Sequence, residues 1–181
     1  MTNWNELRDR AYKTACEHGF HDEDLGNEHY LCLVISELME AVQADRKGKM
    51  ADMEAYNKYD GCIDFIENFE RHVKDTVEDE LADVCIRLLD LAGLRNIDIK
   101  IDNYCCPISK ENTFTKNVYY IAKYLTLTYF EGSYLSLKDN INFAFSQVFA
   151  LAEILGIDLL WHIEAKMKYN ETREYKHGRK Y

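Results

Sequence analysis

Two acidic couplets, Glu37-Leu-Met-Glu40 and Glu80-Leu-Ala-Asp83, each sit in a run whose apolar residues recur at helical spacing. Residues three apart on a helix project from one face, so each couplet offers two carboxylates pointing the same way. If the two helices lie side by side, four acids meet. Four convergent carboxylates repel one another and resist ionising unless a cation lies between them, and an all-oxygen donor set suits Mg²⁺ rather than zinc. Glu37, Glu40, Glu80 and Asp83 are therefore the candidate magnesium ligands.

An acidic pair at this spacing is most often only a solvated helix face. Placed on a helix at about 100° per residue, Leu31, Val34, Ile35, Leu38, Met39 and Val42 form the main apolar face of residues 31–45. Glu37 and Glu40 fall opposite, but Leu33 and Ala44 fall there with them, so that face is not simply polar. In residues 80–94, Leu81, Val84, Cys85, Leu88, Leu91 and Ala92 fill one side, while Glu80, Asp83, Arg87 and Asp90 make one narrow charged stripe. Alone, that stripe would be read as solvated.

A third element changes the balance. The stretch from Trp161 to Tyr181 is basic in a chain of net charge −10. On a helix Lys166 and Asn170 share a face, with Arg173 one turn beyond. Ammonium, amide and guanidinium together suit a polyphosphate that bridges to magnesium. Without the couplets the stretch would be a frayed basic helix end in solvent; with them, ligand binding is the preferred reading.

Ser36-Glu37-Leu-Met-Glu40-Ala and Asp79-Glu80-Leu-Ala-Asp83-Val resemble the two acidic motifs of the MazG-like, all-α nucleoside triphosphate pyrophosphohydrolases. Lys166, Asn170 and Arg173 match the K-x-x-x-N-x-x-R ending of the same family. The resemblance covers roughly residues 28–46, 76–98 and 152–176, and the link between the couplets is longer than is usual in the family. It implies magnesium held by Glu37, Glu40, Glu80 and Asp83, and a nucleotide met by Lys166, Asn170 and, more weakly, Arg173. The implied reaction is hydrolysis of a (deoxy)nucleoside triphosphate to the monophosphate and pyrophosphate, with direct attack by water and Glu40 as the candidate general base. The resemblance also implies a homo-oligomer, with a homodimer favoured.

The elements that must position these residues are helical. The chain has 181 residues with one Pro and eight Gly, and its apolar residues recur at three and four rather than in alternation. The expectation is one all-α domain over 1–181, a helical bundle of the MazG-like type. Helices are expected at 4–17, 28–46, 76–94, 112–129 and 138–155. An insert over about 47–75 reads as two short helices broken near Asp60-Gly61, either a lid or an oligomer contact. Cys105-Cys106-Pro107 reads as a loop. Ala92–Ile99 and Ala152–Leu159 align at a constant offset of 60 (92 against 152). This is either chance likeness of helix ends or a degenerate internal repeat, whose second half, about 100–160, would set Asn140 against Glu80 and Phe143 against Asp83.

Composition narrows the function classes. The acidic balance argues against a nucleic-acid polymer or an anionic membrane as partner, and leaves a free nucleotide with its magnesium. The six cysteines, at 16, 32, 62, 85, 105 and 106, match no zinc spacing and read as reduced core residues. No basic leader opens the chain and no uncharged run approaches the ~20 residues a bilayer needs, so a cytoplasmic protein is expected. Trp4, His29, Tyr30, Trp161 and His162 are the candidates for contacting a base, against the commoner reading of aromatics as core. A non-catalytic helical oligomerisation module with solvated acidic stripes is the alternative. A di-metal carboxylate oxidase would want Glu-x-x-His pairs that these helices lack.

Overall fold

The structure, a computed structural model, describes residues 2–101, 107–127 and 136–175. Among them eight helices and no strand occur: α1 (Trp4–Glu17), α2 (Asn27–Arg46), α3 (Met53–Tyr59), α4 (Phe65–His72), α5 (Val77–Leu94), α6 (Phe114–Thr126), α7 (Leu137–Leu155) and α8 (Leu159–Glu171). The starts follow from capping chemistry. Asp52, Asp64, Thr76, Thr113, Ser136 and Asp158 each accept a backbone N–H of the first turn through the side chain. α5 adds Glu78, Asp79 and Glu80 in its first turn, where carboxylates complement the helix dipole.

α5 is the hub. It packs against α1, α2, α7 and α8, while α6 lies against α2 and α7, so that α2, α5, α7 and α6 form a four-helix ring. Leu81, Val84, Cys85, Leu88 and Leu91 of α5 are fully buried, and they meet Leu38 and Val34 of α2, Ile121 of α6 and Ile141, Phe145 and Val148 of α7 in one continuous apolar cluster. α1 can approach α5 closely because residue 93 is Gly: a Cβ there would stand 2.5 Å from that of Tyr12.

The 47–75 stretch does contain two short helices, separated by Gly61 at φ +71°. Part of their packing is internal. Tyr56, Phe69 and Val73 form a second, smaller cluster with Ala165 and Tyr169 of α8, with Phe69 stacked on Tyr169 at 4.9 Å between centroids. α3 and α4 therefore buttress the back of α8. The cysteine reading also needs correction. Cys85 is buried, but Cys16, Cys32 and Cys62 are exposed, on the solvent side of helices or in a turn; Cys105 and Cys106 lie outside the described residues. No single helix among the described residues is long and apolar enough to cross a membrane.

Candidate functional site

The charged stripe of α5 lies along the floor of a cavity of about 230 Å³. Contacts descend α5 as they climb α2: Asn27 with Arg95, Glu37 with Arg87, and Glu40 with Glu80, so the two helices run antiparallel. This brings carboxylate oxygens of Glu37, Glu40 and Glu80 within 4.8 Å of one another. Glu37 and Glu80 are buried and Glu40 is exposed at the mouth. Asp83 lines the same cavity but stands outside that trio, its Oδ2 2.8 Å from Lys166 Nζ. The two couplets thus bring three acids together, with the fourth turned to a cation of the chain itself.

Burial is the main reason the carboxyls of Glu80 and Glu37 are raised. It raises Glu80 to about 8, with Asp83, Asp79 and Glu40 adding to the effect and Lys166 opposing it. Glu37 is raised by burial and by Asp83 and Glu40, against the Arg87 guanidinium, which donates to it at 3.1 Å. Three oxygen donors from three carboxylates, with no thiolate or imidazole among them, form the donor set that Mg²⁺ prefers. A divalent charge would remove the repulsion that raises Glu37 and Glu80. The residues present therefore fit the ion.

The C-terminal element faces them. Lys166 is only 5 % exposed and its Nζ donates to Asp79 Oδ2 at 2.7 Å as well as to Asp83. Burial alone would lower the ammonium, but Asp83 and Asp79 outweigh it and raise it. Asn170, one turn on, lines the cavity, and its buried Oδ1 has no hydrogen-bond partner among the described residues. Arg173 also lines the cavity, though not from a helix: α8 ends at Glu171 with Thr172 as its cap. Instead the chain beyond the cap is held back against the loop after α1, where the His18 ring nitrogen Nε2 lies 2.9 Å from the Arg173 carbonyl and Tyr175 donates to Asp22.

No family model, curated protein or solved structure matches the chain.

The far end of the cavity is walled by residues that were not singled out from the sequence. Ala11, Thr14 and Ala15 of α1, Phe20 and Met167 form an apolar pocket beside Asp90. Asp90 is buried and its Oδ1 lies 2.6 Å from His21 Nε2; burial raises its carboxyl, while His21 pulls it back. None of the aromatic residues expected at a base lines the cavity. Trp4 packs edge-on against Phe145 and Phe149, Trp161 meets Tyr56, and Tyr30 and His162 are buried. His29 lies against Tyr30. Phe20 is the aromatic that does reach it, and no periodicity marks a residue in a loop.

Asp79 was also missed as a separate participant. Its Oδ2 accepts from the Asp75 N–H at 2.8 Å and from Lys166, and burial raises its carboxyl to about 6 against the pull of Lys166. As the third residue of α5 after an N-capping Thr, it reads from sequence as a dipole-complementing acid and nothing more.

Proposed function

We propose that this protein is a magnesium-dependent nucleoside triphosphate pyrophosphohydrolase that cleaves the anhydride between the α and β phosphates. The observation that carries the reading is the convergence of Glu37, Glu40 and Glu80 within 4.8 Å, at one end of a cavity whose other wall holds Lys166, Asn170 and Arg173. The resemblance of the couplets and of the Lys166–Arg173 spacing to MazG-like enzymes agrees with it.

Glu37, Glu40 and Glu80 would hold the ion, with Asp83 beside them. Bound there, magnesium supplies Lewis-acid polarisation of phosphoryl oxygens and a lowered pKa for water. Arg173 and Asn170 meet the polyphosphate and sugar, and the Lys166 ammonium adds positive charge from the wall. Glu40, exposed at the mouth, takes the proton of the attacking water. Water adds across the anhydride, so one molecule of nucleotide gives one monophosphate and one pyrophosphate. Along α5, Asp90 lies ten residues from Glu80, a rise of about 15 Å, so the apolar end at Ala11, Ala15 and Phe20 is where the nucleoside lies. Such an enzyme would act on the free nucleotide pool of the cytoplasm.

The test is pyrophosphate release from a panel of ribo- and deoxyribonucleoside triphosphates, with and without magnesium, for the wild type and Glu40→Ala. Metal-dependent release lost in the variant supports the reading. No release from any nucleotide, with melting temperature indifferent to magnesium, would instead favour a non-catalytic helical module.

A further inference from the structure

α5 and α7 align without a gap at an offset of 60 (76 against 136) and share their caps, their ends and part of their buried face. The caps Thr76 and Ser136 each accept the N–H of an Asp three residues on, Asp79 at 3.3 Å and Asp139 at 3.2 Å. Both helices end in the same way, with left-handed Asn96 and Gly156, and with Ile97 and Ile157 donating to the carbonyls of Ala92 and Ala152 at 2.8 and 2.9 Å. Between these ends six buried apolar positions coincide, whereas Ala82 and Leu89 align with the polar Asn142 and the half-buried Phe149. Leu81, Val84, Cys85, Leu88, Leu91 and Ala92 answer to Ile141, Ala144, Phe145, Val148, Leu151 and Ala152.

A second register links α2 to α6 at an offset of 80 (37 against 117). The burial pattern of 36–43 recurs over 116–123, save that Glu40 is exposed and Tyr120 half-buried. The packing has the matching symmetry. α2 on α5 corresponds to α6 on α7, and the contacts of α2 with α6 and of α5 with α7 map onto themselves, as in a two-fold interface.

We infer that α6 and α7 are a retired copy of α2 and α5, kept as the internal partner against which the working pair packs. In the two registers Glu37, Glu40, Glu80 and Asp83 become Asn117, Tyr120, Asn140 and Phe143. The substitutes at 140 and 143 both meet Tyr124 of α6. Asn140 donates to the Tyr124 carbonyl of α6 at 2.8 Å, and the Phe143 ring lies 4.1 Å from that of Tyr124, between centroids. Asn117 is occupied in tying down the loop before α6, through both the N–H and the carbonyl of Ser109. One chain therefore supplies both halves of the four-helix ring, with the acids on one half, in place of the homodimer that the family resemblance implies.

Sedimentation of the full chain, with melting temperature measured across the same dilution series, tests this without reference to catalysis. A 21.3 kDa species whose melting temperature does not change on dilution is expected. A dimer that loses its fold when diluted would overturn the inference. Mn²⁺ affinity read by its paramagnetism gives the second arm. Asn140→Ala and Phe143→Leu should bind Mn²⁺ within twofold of wild type. Loss of Mn²⁺ in either variant, with helical circular dichroism intact, would show that the second pair is still a site. If wild type binds no Mn²⁺ at all, the proposed activity fails while the sedimentation result still decides the duplication.

Discussion

The Nζ of Lys166 lies 2.7 Å from Oδ2 of Asp79, and both side chains are almost wholly enclosed, at 6 % and 1 % exposure. Asp83 completes a triad on the other side of the ammonium. Removing one member of a buried ion pair strands the remaining charge, which typically costs about 3–5 kcal/mol. Lys166→Met should destabilise the protein by that order in chemical denaturation. Lys166→Met with Asp79→Leu should recover part of the loss, and no recovery would show that the pair is not coupled.

The Glu80 carboxyl, raised to about 8 from an ordinary value near 4.5, links stability to pH. An acid whose pKa is higher in the folded state binds more protons when folded, so its stabilising contribution is full below the unfolded value and is lost as pH rises through the folded one. In the presence of a chelator the melting temperature should therefore fall between about pH 4.5 and 8, and the fall should be smaller in Glu80→Gln. Magnesium prefers the ionised acid, so its stabilising effect should grow over the same interval. A magnesium effect larger at pH 5 than at pH 8 would contradict this.

Asn170 and Arg173 should separate in steady-state kinetics. If Arg173 meets the phosphates as proposed, Arg173→Ala removes a charge-assisted contact, and a loss of about 10–100-fold in kcat/KM is expected from a contact of this type. Asn170→Ala should chiefly raise KM if its unpartnered Oδ1 accepts from the sugar. Lys166 is structural as well as facing the cavity, so its variants must be compared per folded molecule.

If Phe20, which lines the cavity with Ala11 and Ala15, meets the nucleoside, Phe20→Ala should raise KM for nucleotides and leave hydrolysis of inorganic tripolyphosphate unchanged. Equal effects on both substrates would place Phe20 in the fold rather than at the nucleoside.

Helix positions were legible in the sequence because periodicity and caps are local properties. Trp4–Glu17 is found as expected, and the break at Gly61 and the start of α5 lie within a residue or two. That Glu37 and Glu40 share one face, and Glu80 and Asp83 another, was within reach for the same reason; that the two faces meet is a tertiary contact that spacing does not decide. What escaped depends on contacts between distant parts of the chain. Nothing near Asp83 in sequence marks Lys166, 83 residues on, as its partner, and His21 and Asp90 are likewise joined only by the fold. The cysteines misled because residue type is a weak guide to burial, whereas the commoner reading of the aromatic residues as packing holds for Trp4 and Trp161.

α5 touches four other helices and carries Glu80 and Asp83 of the acidic site. Its amides can reach solvent only when that whole neighbourhood comes apart, so they should exchange hydrogen at the rate of global unfolding. Ligation at Glu80 consequently acts on the entire molecule rather than on a loop. An ion at 100 times its dissociation constant would add about 2.7 kcal/mol to the unfolding free energy, and that increment should appear in the slow amides of α5, α2 and α7 alike. With the ion bound as proposed, cation occupancy would set the stability of the whole folded chain, coupling its survival in a proteolytic environment to the availability of the metal.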